Sequence, residues 1–402
     1  MVRHHNVVNY TAWFINEANL KEYDKAMLVS SYAFDLGYTS IFSSLLSGSE
    51  LHIVRKERYT NAQQALKYIK ENGITYMKLT PSLFHILVHD PYFSAEKACE
   101  KLRLVILGGE MINTRDIEAF FKQYPDHLIM NHYGPTETTI GSVFQVIDAD
   151  SLHSFKECPV IGTPIHHTKV YVLDQHMKPV PEGVFGELCI AGDGVTDGYI
   201  NRPDLTAEKF VRHPFEQNQR MYRTGDLARR LSDGSIELSG RMDSQVKIRG
   251  YRIETEEIKN RLLKHEHIRE ALIAVREDKD GGRQLCAYVV AEAKVTFRDI
   301  RTHLKDELPE YMIPSYVVQV ESMPLTANGK VDAAALPEPE IAAEAAYEAP
   351  RNDMEEKLVM VWKEVLGVDN IGITHNFFAA GETPSKRCRL YQDYQGKALR
   401  ST

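Results

Sequence analysis

The strongest constraint on the fold is an alternation of strand-like and helix-like segments in the first third of the chain. Three short apolar runs predict buried strands, at residues 51–54, 75–79 and 102–107. Two segments between them have helical periodicity, residues 61–71 and 114–124. This alternation is typical of an open, largely parallel α/β sheet.

Ligands of such sheets bind beyond the carboxyl ends of the strands, and two polar segments fall there. One is Gly108-Gly109-Glu110, which taken alone would equally suit a plain tight turn. The other is NHYGPTETT, residues 131–139. Because this run is polar and includes Gly134-Pro135, it predicts a turn that faces a ligand and ends the apolar strand before it.

The rest of the chain predicts smaller modules. Short strands and frequent turns over residues 161–239 indicate a small β subdomain that completes a large lobe, residues 1–241. Residues 242–336 predict a small α+β lid, with helices at 257–264 and 297–307 and strands at 271–275 and 284–291. Residues 337–350 have the composition of a linker. A helix at 355–366 begins another, helical module, residues 351–378, and leaves a tail, residues 379–402.

Composition narrows the function classes. The 402 residues are 43% hydrophobic and 26% charged, which suits two or three globular domains. No apolar run has the length of a membrane span, and the N-terminus lacks an export signal, so we predict a cytoplasmic protein without a membrane partner. The net charge of −8 provides no basic face for nucleic acid. The five cysteines have no paired spacing and receive no chemical role.

Five motifs follow residues 131–139 in a fixed order. They are GELCIAGDGVTDGYINRPDLTAEKF, MYRTGDL, GRMDSQVKIRGYRIETEEI, LPEYMIPSYVV and LTANGKVD. The adenylation domains of nonribosomal peptide synthetases have similar motifs in the same order, and the chain resembles them from residue 1 to about 378. The resemblance implies an enzyme that joins an amino acid to the α-phosphate of ATP and passes it to a carrier thiol.

Adenylation needs a cation beside the reacting carboxylate, a metal on the phosphates, and groups that hold ribose and adenine. The resemblance implies Lys330 as the catalytic cation and Glu137 as the ligand of Mg²⁺. The implied nucleotide-binding positions are Gly108, Gly109, Glu110, Asn131, Tyr133, Gly134, Thr136, Asp226 and Arg241. Among them Tyr133 would stack on adenine and Asp226 would hold the ribose hydroxyls. Outside these motifs, Lys330 would suit a surface lysine and Asp226 a turn.

The resemblance also implies a hinge at residues 240–243, including Asp243, where the lid rotates between an adenylating pose and a thioester-forming pose. Lys247 and Gly250 would then face the tunnel for the pantetheine arm. A charged surface turn is the alternative interpretation of this segment.

The implied amino-acid pocket contains an acid, a lysine and a histidine. Its positions are Asp35, Leu36, Thr39, Lys78, Ile106, Gly108, His132, Ile140 and Gly141, with Lys330 completing the set. Asp35 matches the aspartate that binds the substrate α-ammonium group. Lys78 ends a strand-like run and needs an anionic partner there, unless its side chain reaches solvent.

His132 is a second potential cation in this pocket. Lys78, His132 and Thr39 together suit a short side-chain carboxylate, and the pattern resembles that of aspartate-activating domains. Asparagine is the second choice, because asparagine-activating domains tend to carry an acid in place of His132.

Both ends of the chain depart from the family. By the resemblance, MVRHHNVVNYTAW lies just after the phosphate loop, so we expect that loop and the N-terminal part of the large lobe to be absent from this chain. Residues 357–378 resemble the start of a peptidyl carrier domain, whose next turn should carry the serine that takes phosphopantetheine. One nucleotide sequence can encode Gly-Asp-Ser-Ile-Lys-Ala-Leu-Gln-Ile-Ile-Ser in one frame and residues 382–391 in the next. We therefore interpret residues 379–402 as an out-of-frame tail. In this interpretation Ser385 is not an attachment site, and we expect no phosphopantetheine on this chain.

Two hypotheses of different classes remain. In the first, ATP and aspartate meet in the cleft of an adenylating enzyme, whose partners are other synthetase modules and carrier domains. In the second, the isolated chain is a non-catalytic remnant of a disrupted synthetase gene, which the expected absence of the phosphate loop favours. A relative of acyl-CoA ligases or luciferases is disfavoured by Asp35, because a fatty acid has no ammonium group.

Overall fold

A computed structural model describes residues 1–243, 245–277, 283–324, 335–339, 349–366 and 372. The chain divides into two compact units, Met1–Asp243 and Ser244–Thr402. Most of the predicted linker, the carrier-like residues after 366 apart from Gly372, and the whole predicted out-of-frame tail lie outside the described residues.

The first unit contains nine α-helices and twelve strands within residues 1–243. Its helices are α1 His4–Glu17, α2 Tyr38–Ser47, α3 Lys56–Tyr59, α4 Ala62–Asn72, α5 Pro81–Val88, α6 Pro91–Ala95, α7 Thr114–Gln123, α8 Leu152–Glu157 and α9 Pro203–Lys209. Its strands are β1 Lys25–Leu28, β2 Glu50–Ile53, β3 Tyr76–Leu79, β4 Leu104–Gly108, β5 Leu128–Tyr133, β6 Val143–Ile147, β7 Val160–Pro164, β8 Thr168–Leu173, β9 Gly186–Gly192, β10 Phe210–Arg212, β11 Arg220–Arg230 and β12 Ile236–Arg241. The strands and helices predicted between residues 51 and 133 are all present.

All twelve strands belong to one sheet, in the order β2-β1-β3-β4-β5-β6-β7-β12-β11-β9-β8, with β10 paired to β11. The strands from β2 to β5 are parallel, and every pairing beyond β5 is antiparallel. The predicted α/β class is therefore confirmed. The β-rich segment predicted at residues 161–239 belongs to the same sheet as the parallel strands, because β7 pairs with both β6 and β12.

Helices cover both faces of the parallel strands, because successive side chains of a strand point to opposite faces. Met77 and Val105 belong to a core cluster with residues of α4, α5, α6 and α7. A different cluster, which includes the aromatic residues of α1, contains Tyr76, Ile106 and Met130. Each of these three is the neighbour in sequence of a residue in the first cluster. The face covered by α1 is therefore the one toward which residues 78, 106, 108, 130 and 132 are directed.

The prediction of a turn over residues 131–133 is wrong, because these residues belong to β5. His132, for example, is paired with Gly108 on one side and with Phe144 on the other. Two neighbouring strands satisfy the backbone here, so polar side chains do not end the strand. The chain turns only at Gly134, where an added Cβ would lie 2.4 Å from Cα of Gly141.

The second unit is a small α+β domain. Its strands are β13 Gln245–Ile248, β14 Tyr251–Glu254, β15 Ile268–Glu277, β16 Arg283–Ala291 and β17 Tyr316–Gln319, and its helices are α10 Thr255–Leu262, α11 Phe297–Lys305 and α12 Asp353–Leu366. β13 and β14 form a hairpin, while β15, β16 and β17 form a three-stranded sheet. Residues of α10 and α11 share one core with this sheet. The predicted lid helices and strands are thus present in this unit.

Candidate active site

Four of the predicted pocket positions lie on the face of the sheet that α1 covers. Lys78 is opposite Ile106 in the pairing of β3 with β4, and Gly108 is opposite His132 in the pairing of β4 with β5. Because the pairing is in register, alternation along each strand directs the four residues to the same face. The sheet therefore assembles this part of the site from three neighbouring strands.

Lys78 is buried beneath α1 and α2, with only 3% of its surface exposed. Its Nζ donates a hydrogen bond to Oγ1 of Thr39 at 3.0 Å and lies 5.9 Å from the ring centroid of Tyr10. Tyr10 Oη is in turn hydrogen-bonded to the same Thr39 oxygen at 2.7 Å. Within residues 1–243 Lys78 forms no salt bridge. The alternative of a lysine that reaches solvent is therefore wrong.

The charge state of Lys78 depends on this burial. Burial lowers the pKa of Lys78 to about 7, and the negative charge of Asp35 opposes that shift. Asp35 begins a 3₁₀ turn, Asp35–Gly37, which also contains Leu36. Oδ2 of Asp35 is buried without a hydrogen-bond partner in the described structure. The pocket thus contains a carboxylate oxygen without a hydrogen-bond partner among the described residues and an amine without a salt bridge within residues 1–243.

His132 is enclosed by aromatic rings and is 2% exposed. Its ring stacks on Trp13 at a centroid distance of 5.9 Å and meets Tyr10 edge-on at 5.6 Å. Neither ring nitrogen has a hydrogen-bond partner among the described residues. Burial, and then the charge of Lys78, hold the pKa of His132 well below its ordinary value. We therefore expect a neutral imidazole, so the expectation of a second cation is not met.

The loop after β5 closes the pocket against this imidazole. An added Cβ on Gly141 would lie 1.8 Å from Cε1 of His132, so only glycine fits beside the ring. Thr139 and Ile140 precede it with φ values of 64° and 67°, a strained conformation for β-branched residues. Ile140 is buried in the same cluster as Ile106. The packing of Ile140 and the lack of a side chain at Gly141 hold the loop in this conformation.

The predicted nucleotide side contains a chain of hydrogen bonds centred on Asp226. Tyr133 donates its hydroxyl to Oδ2 of Asp226, and Arg241 donates to Oδ1 at 2.6 Å. Arg241 also donates to the carbonyl oxygen of Thr224 and to Asp243. Burial, and then the charge of Asp226, raise the pKa of Tyr133, which therefore remains a donor. Ribose hydroxyls would have to displace or join these partners.

Two other predicted nucleotide positions have their orientation fixed. Asn131 donates its amide Nδ2 to the carbonyl oxygen of Val160 at 2.8 Å, so its carbonyl oxygen is the atom suited to accept from an adenine amino group. Glu110 accepts from the backbone N and from Oγ of Ser82, at 2.9 and 2.7 Å, in the first turn of α5. Gly109 has a φ of 88°, which allows the chain to turn between the end of β4 and Glu110.

Glu137 provides a buried carboxylate next to the exposed Thr136. Its Oε1 accepts from the hydroxyl of Tyr199 at 2.6 Å. Burial, and then the charge of Glu137, raise the pKa of Tyr199, so this donor stays protonated. Mg²⁺ is commonly bound by one or two carboxylates together with substrate phosphates and water. The donor chemistry at Glu137 therefore fits this ion.

Three of the predicted positions do not belong to the described part of the first unit. Lys330 and the motif around it lie outside the described residues. Lys247 and Gly250 belong to the hairpin of the second unit, where Lys247 is opposite Arg252. Gly250 has a φ of 78° in the two-residue turn, as hairpins of this length favour.

Comparisons with known proteins identify the family. The sequence matches the AMP-binding enzyme family over residues 1–200 and the AMP-binding enzyme C-terminal domain over residues 257–330. It is 73% identical to bacitracin synthase 3 of Bacillus licheniformis over 389 residues, which make up 97% of this chain and 6% of that protein. The chain belongs to the adenylation domains of nonribosomal peptide synthetases.

Two further proteins are similar to this adenylation segment. Surfactin synthase subunit 2 of Bacillus subtilis (strain 168) is 47% identical over an alignment of 403 positions, which covers 100% of this chain and 11% of that protein. The structure of a nonribosomal peptide synthetase protein containing adenylation and PCP domains, bound to a vinylsulfonamide inhibitor, matches with a TM-score of 0.75 and 28% identity. That match covers 92% of this chain and 60% of the other. The adenylation segment thus spans a small part of each synthase.

No helix in the described part of the adenylation segment is both long enough and apolar enough to cross a membrane.

Sequence reasoning missed three residues that contact the site. Tyr10 and Trp13 of α1 form the wall against His132, and Tyr199 orients Glu137. The aromatic spacing of three residues in α1 was available as a signal, but it is equally typical of a core helix. For Tyr199 the signal was its position within the GELCIAGDGVTDGYINRPDLTAEKF motif.

The low pKa of Lys78 predicts a pH dependence of stability that Lys78→Met removes. The pKa falls from 10.5 to about 7 on folding, so between these pH values the unfolded chain binds more protons than the folded one. Stability then rises with pH across this window, and below it the full cost of burying an ammonium group is present. From pH 7 to 9 we expect the wild type to gain about 2 kcal/mol relative to Lys78→Met. Urea unfolding of both proteins at both pH values measures this gain, and an unchanged difference would contradict a buried, neutralised lysine.

Proposed function

We propose that this adenylation segment activates L-aspartate with ATP to give aspartyl-AMP, for transfer to a carrier thiol. The observation that supports the proposal most is the buried Lys78, which has no carboxylate partner among residues 1–243 and lies near an imidazole with two unpaired nitrogens. A buried amine of this kind costs free energy unless a bound anion compensates it. The substrate side chain supplies that anion.

In this proposal, each pocket residue meets one group of aspartate. The buried Oδ2 of Asp35 accepts from the α-ammonium group. Lys78 and Thr39, already hydrogen-bonded to each other, donate to one oxygen of the β-carboxylate. The neutral His132 donates its ring N–H to the other oxygen. The bound carboxylate raises the pKa of Lys78 again, so aspartate binding takes up a proton when the pH lies above about 7.

The ATP side of the proposal uses residues at the carboxyl end of β5 and on β11 and β12. Asn131 accepts from the adenine amino group, Tyr133 stacks on the adenine ring, and Asp226 holds the ribose hydroxyls. Glu137 would hold Mg²⁺, which would supply positive charge to offset the charge of the phosphates. Lys330 bridges the substrate carboxylate and the α-phosphate, where it stabilises the charge that develops as the carboxylate oxygen attacks. Pyrophosphate leaves, and the second unit then serves thioester formation.

Asparagine is the second candidate substrate, because its side chain has the same length and can use the same hydrogen bonds. It offers no negative charge to Lys78, and a neutral Lys78 near pH 7 makes that loss smaller. The pocket therefore favours aspartate by electrostatics rather than by shape.

Amino-acid-dependent exchange between ATP and pyrophosphate tests the adenylation proposal and its competitor together. We compare the isolated chain with a chimera in which residues 1–378 replace the matched part of bacitracin synthase 3. Exchange by both proteins supports an enzyme, whereas exchange by the chimera alone supports the hypothesis of a non-catalytic remnant for the isolated chain. A folded chimera without exchange for any amino acid would contradict the proposal.

The variant His132→Glu tests the role of this position in selectivity. Because His132 lies close to Lys78, a glutamate there would pair with the lysine and remove the cation that aspartate needs. In the chimera we expect the ratio of kcat/KM for aspartate over asparagine to fall by about tenfold or more. His132→Gln, which brings no charge, is the matched control and should change the ratio less. An unchanged ratio in His132→Glu would argue against this pocket assignment.

A further inference from the structure

A cluster of two histidines and an aspartate lies outside the predicted pocket, at the C-terminal end of α5. His85 belongs to α5, and His89 caps its C-terminus four residues later, so both point to one side of the helix. Asp116, in the first turn of α7, contacts a nitrogen of each ring. Nδ1 of His85 and Nε2 of His89 lie 3.0 and 2.8 Å from the same oxygen, Oδ1 of Asp116.

The three groups combine a buried carboxylate with accessible imidazoles. The Asp116 side chain is only 4% exposed, whereas those of His85 and His89 are 44% and 50% exposed. The two imidazole rings are 4.5 Å apart, and one ligand atom from each of the three residues lies within 4.8 Å of the others. The carboxylate is thus fixed inside the protein, and solvent reaches the site over the two rings.

These distances suit a metal ion as well as hydrogen bonds. In a tetrahedral zinc site with bonds of about 2.0–2.1 Å, neighbouring ligand atoms are about 3.3 Å apart. The observed separations of 2.8 to 3.0 Å need to widen by only a few tenths of an ångström. Without a metal, each imidazole donates an N–H to Asp116. With a metal, the same nitrogens present their lone pairs instead.

We propose that His85, His89 and Asp116 form a binding site for a divalent transition-metal ion of the Zn²⁺ class. Two imidazoles and one carboxylate are the ligand set that such ions favour, whereas Mg²⁺ favours oxygen ligands alone. The three protein ligands leave a fourth position for water. The bound ion joins α5 to α7 and so stabilises the first unit. The N-terminus of α5 contacts Glu110 at the candidate active site, so the metal and the nucleotide use opposite ends of one helix.

Equilibrium dialysis of the full 402-residue chain, without an affinity tag, against Zn²⁺ in the presence of excess Mg²⁺ tests the proposal. We expect one Zn²⁺ per chain to bind at this site, and His89→Ala to weaken that binding at least tenfold, because even losing a group that only orients a metal ligand typically costs about 10- to 100-fold in affinity. Asp116→Asn keeps the shape but removes the charge, and should weaken binding similarly. His153→Ala changes an exposed histidine of α8 and should leave binding unaltered.

Two further readouts separate this site from the other histidines of the chain. Co²⁺ in place of Zn²⁺ should give the visible absorption of a tetrahedral site in the wild type and in His153→Ala, but not in His89→Ala. Zn²⁺ should also raise the Tm of the wild type and not that of His89→Ala. Far-UV circular dichroism checks that each variant is folded. Equal Zn²⁺ affinity of the wild type and of folded His89→Ala and Asp116→Asn would overturn the proposal.

Discussion

Replacing Lys330 by alanine should lower the rate of aspartyl-AMP formation in the chimera by about 100- to 1000-fold, the usual effect of removing one group that stabilises charge in a transition state. The reacting carboxylate and the α-phosphate are both negative, so without the cation their approach is opposed by repulsion. The affinity for aspartate should change much less, because Asp35 and Lys78 hold the substrate. Exchange between ATP and pyrophosphate at varied aspartate concentrations measures both quantities.

Two control variants make this result specific to Lys330. Lys294→Ala removes an exposed lysine of the same unit and should leave the exchange rate unaltered. Lys330→Arg keeps the charge with a different geometry and should recover only part of the rate. If Lys330→Ala retained the rate of the parent chimera within a factor of about three, the catalytic role carried over from the family motif would be wrong.

Replacing Lys78 by alanine should lower exchange with aspartate by about tenfold to a hundredfold. A charge-assisted hydrogen bond in a partly dry pocket contributes roughly 1.5–3 kcal/mol, and each 1.4 kcal/mol is about a factor of ten. Exchange with asparagine should fall less, because an amide does not need the positive charge. Measuring kcat/KM for both amino acids in the chimera separates a loss of charge recognition from a general loss of activity.

Controls for this variant address packing and charge separately. Lys78→Met keeps the length of the side chain without its charge and should resemble Lys78→Ala toward aspartate. Lys67→Ala removes an exposed lysine of the same unit and should have no effect. An equal loss of kcat/KM for aspartate and asparagine, or no loss for either, would mean that Lys78 does not recognise the charge of the substrate side chain.

The arrangement of the pocket could be predicted from the sequence only in part. Alternation along β3, β4 and β5 directs Lys78, Ile106 and His132 to one face once the strands are known. The sequence could not show that His132 lies against Trp13, since that contact joins α1 to a strand far along the chain. This contact decides the charge of His132, because the pKa depends on burial between elements distant in sequence.

The fold shows the same limit at β5. Its apolar first half predicts a strand, but Asn131 and His132 have the polarity of a loop. They remain in the strand because β4 and β6 supply hydrogen-bonding partners on both sides. A local pattern does not contain that information. Conversely, the elements predicted from strong local periodicity, such as α4, α7 and α11, are all present with ends within about two residues of the prediction.

Selectivity for aspartate is the central claim, and the relative kcat/KM for the proteinogenic amino acids in the chimera tests it most directly. All amino acids are compared at one pH near 7, where part of the Lys78 population carries a charge before substrate binds. We expect aspartate to give the highest value, with asparagine next and about tenfold or more lower. A highest value for asparagine, or for a hydrophobic amino acid, would contradict the account.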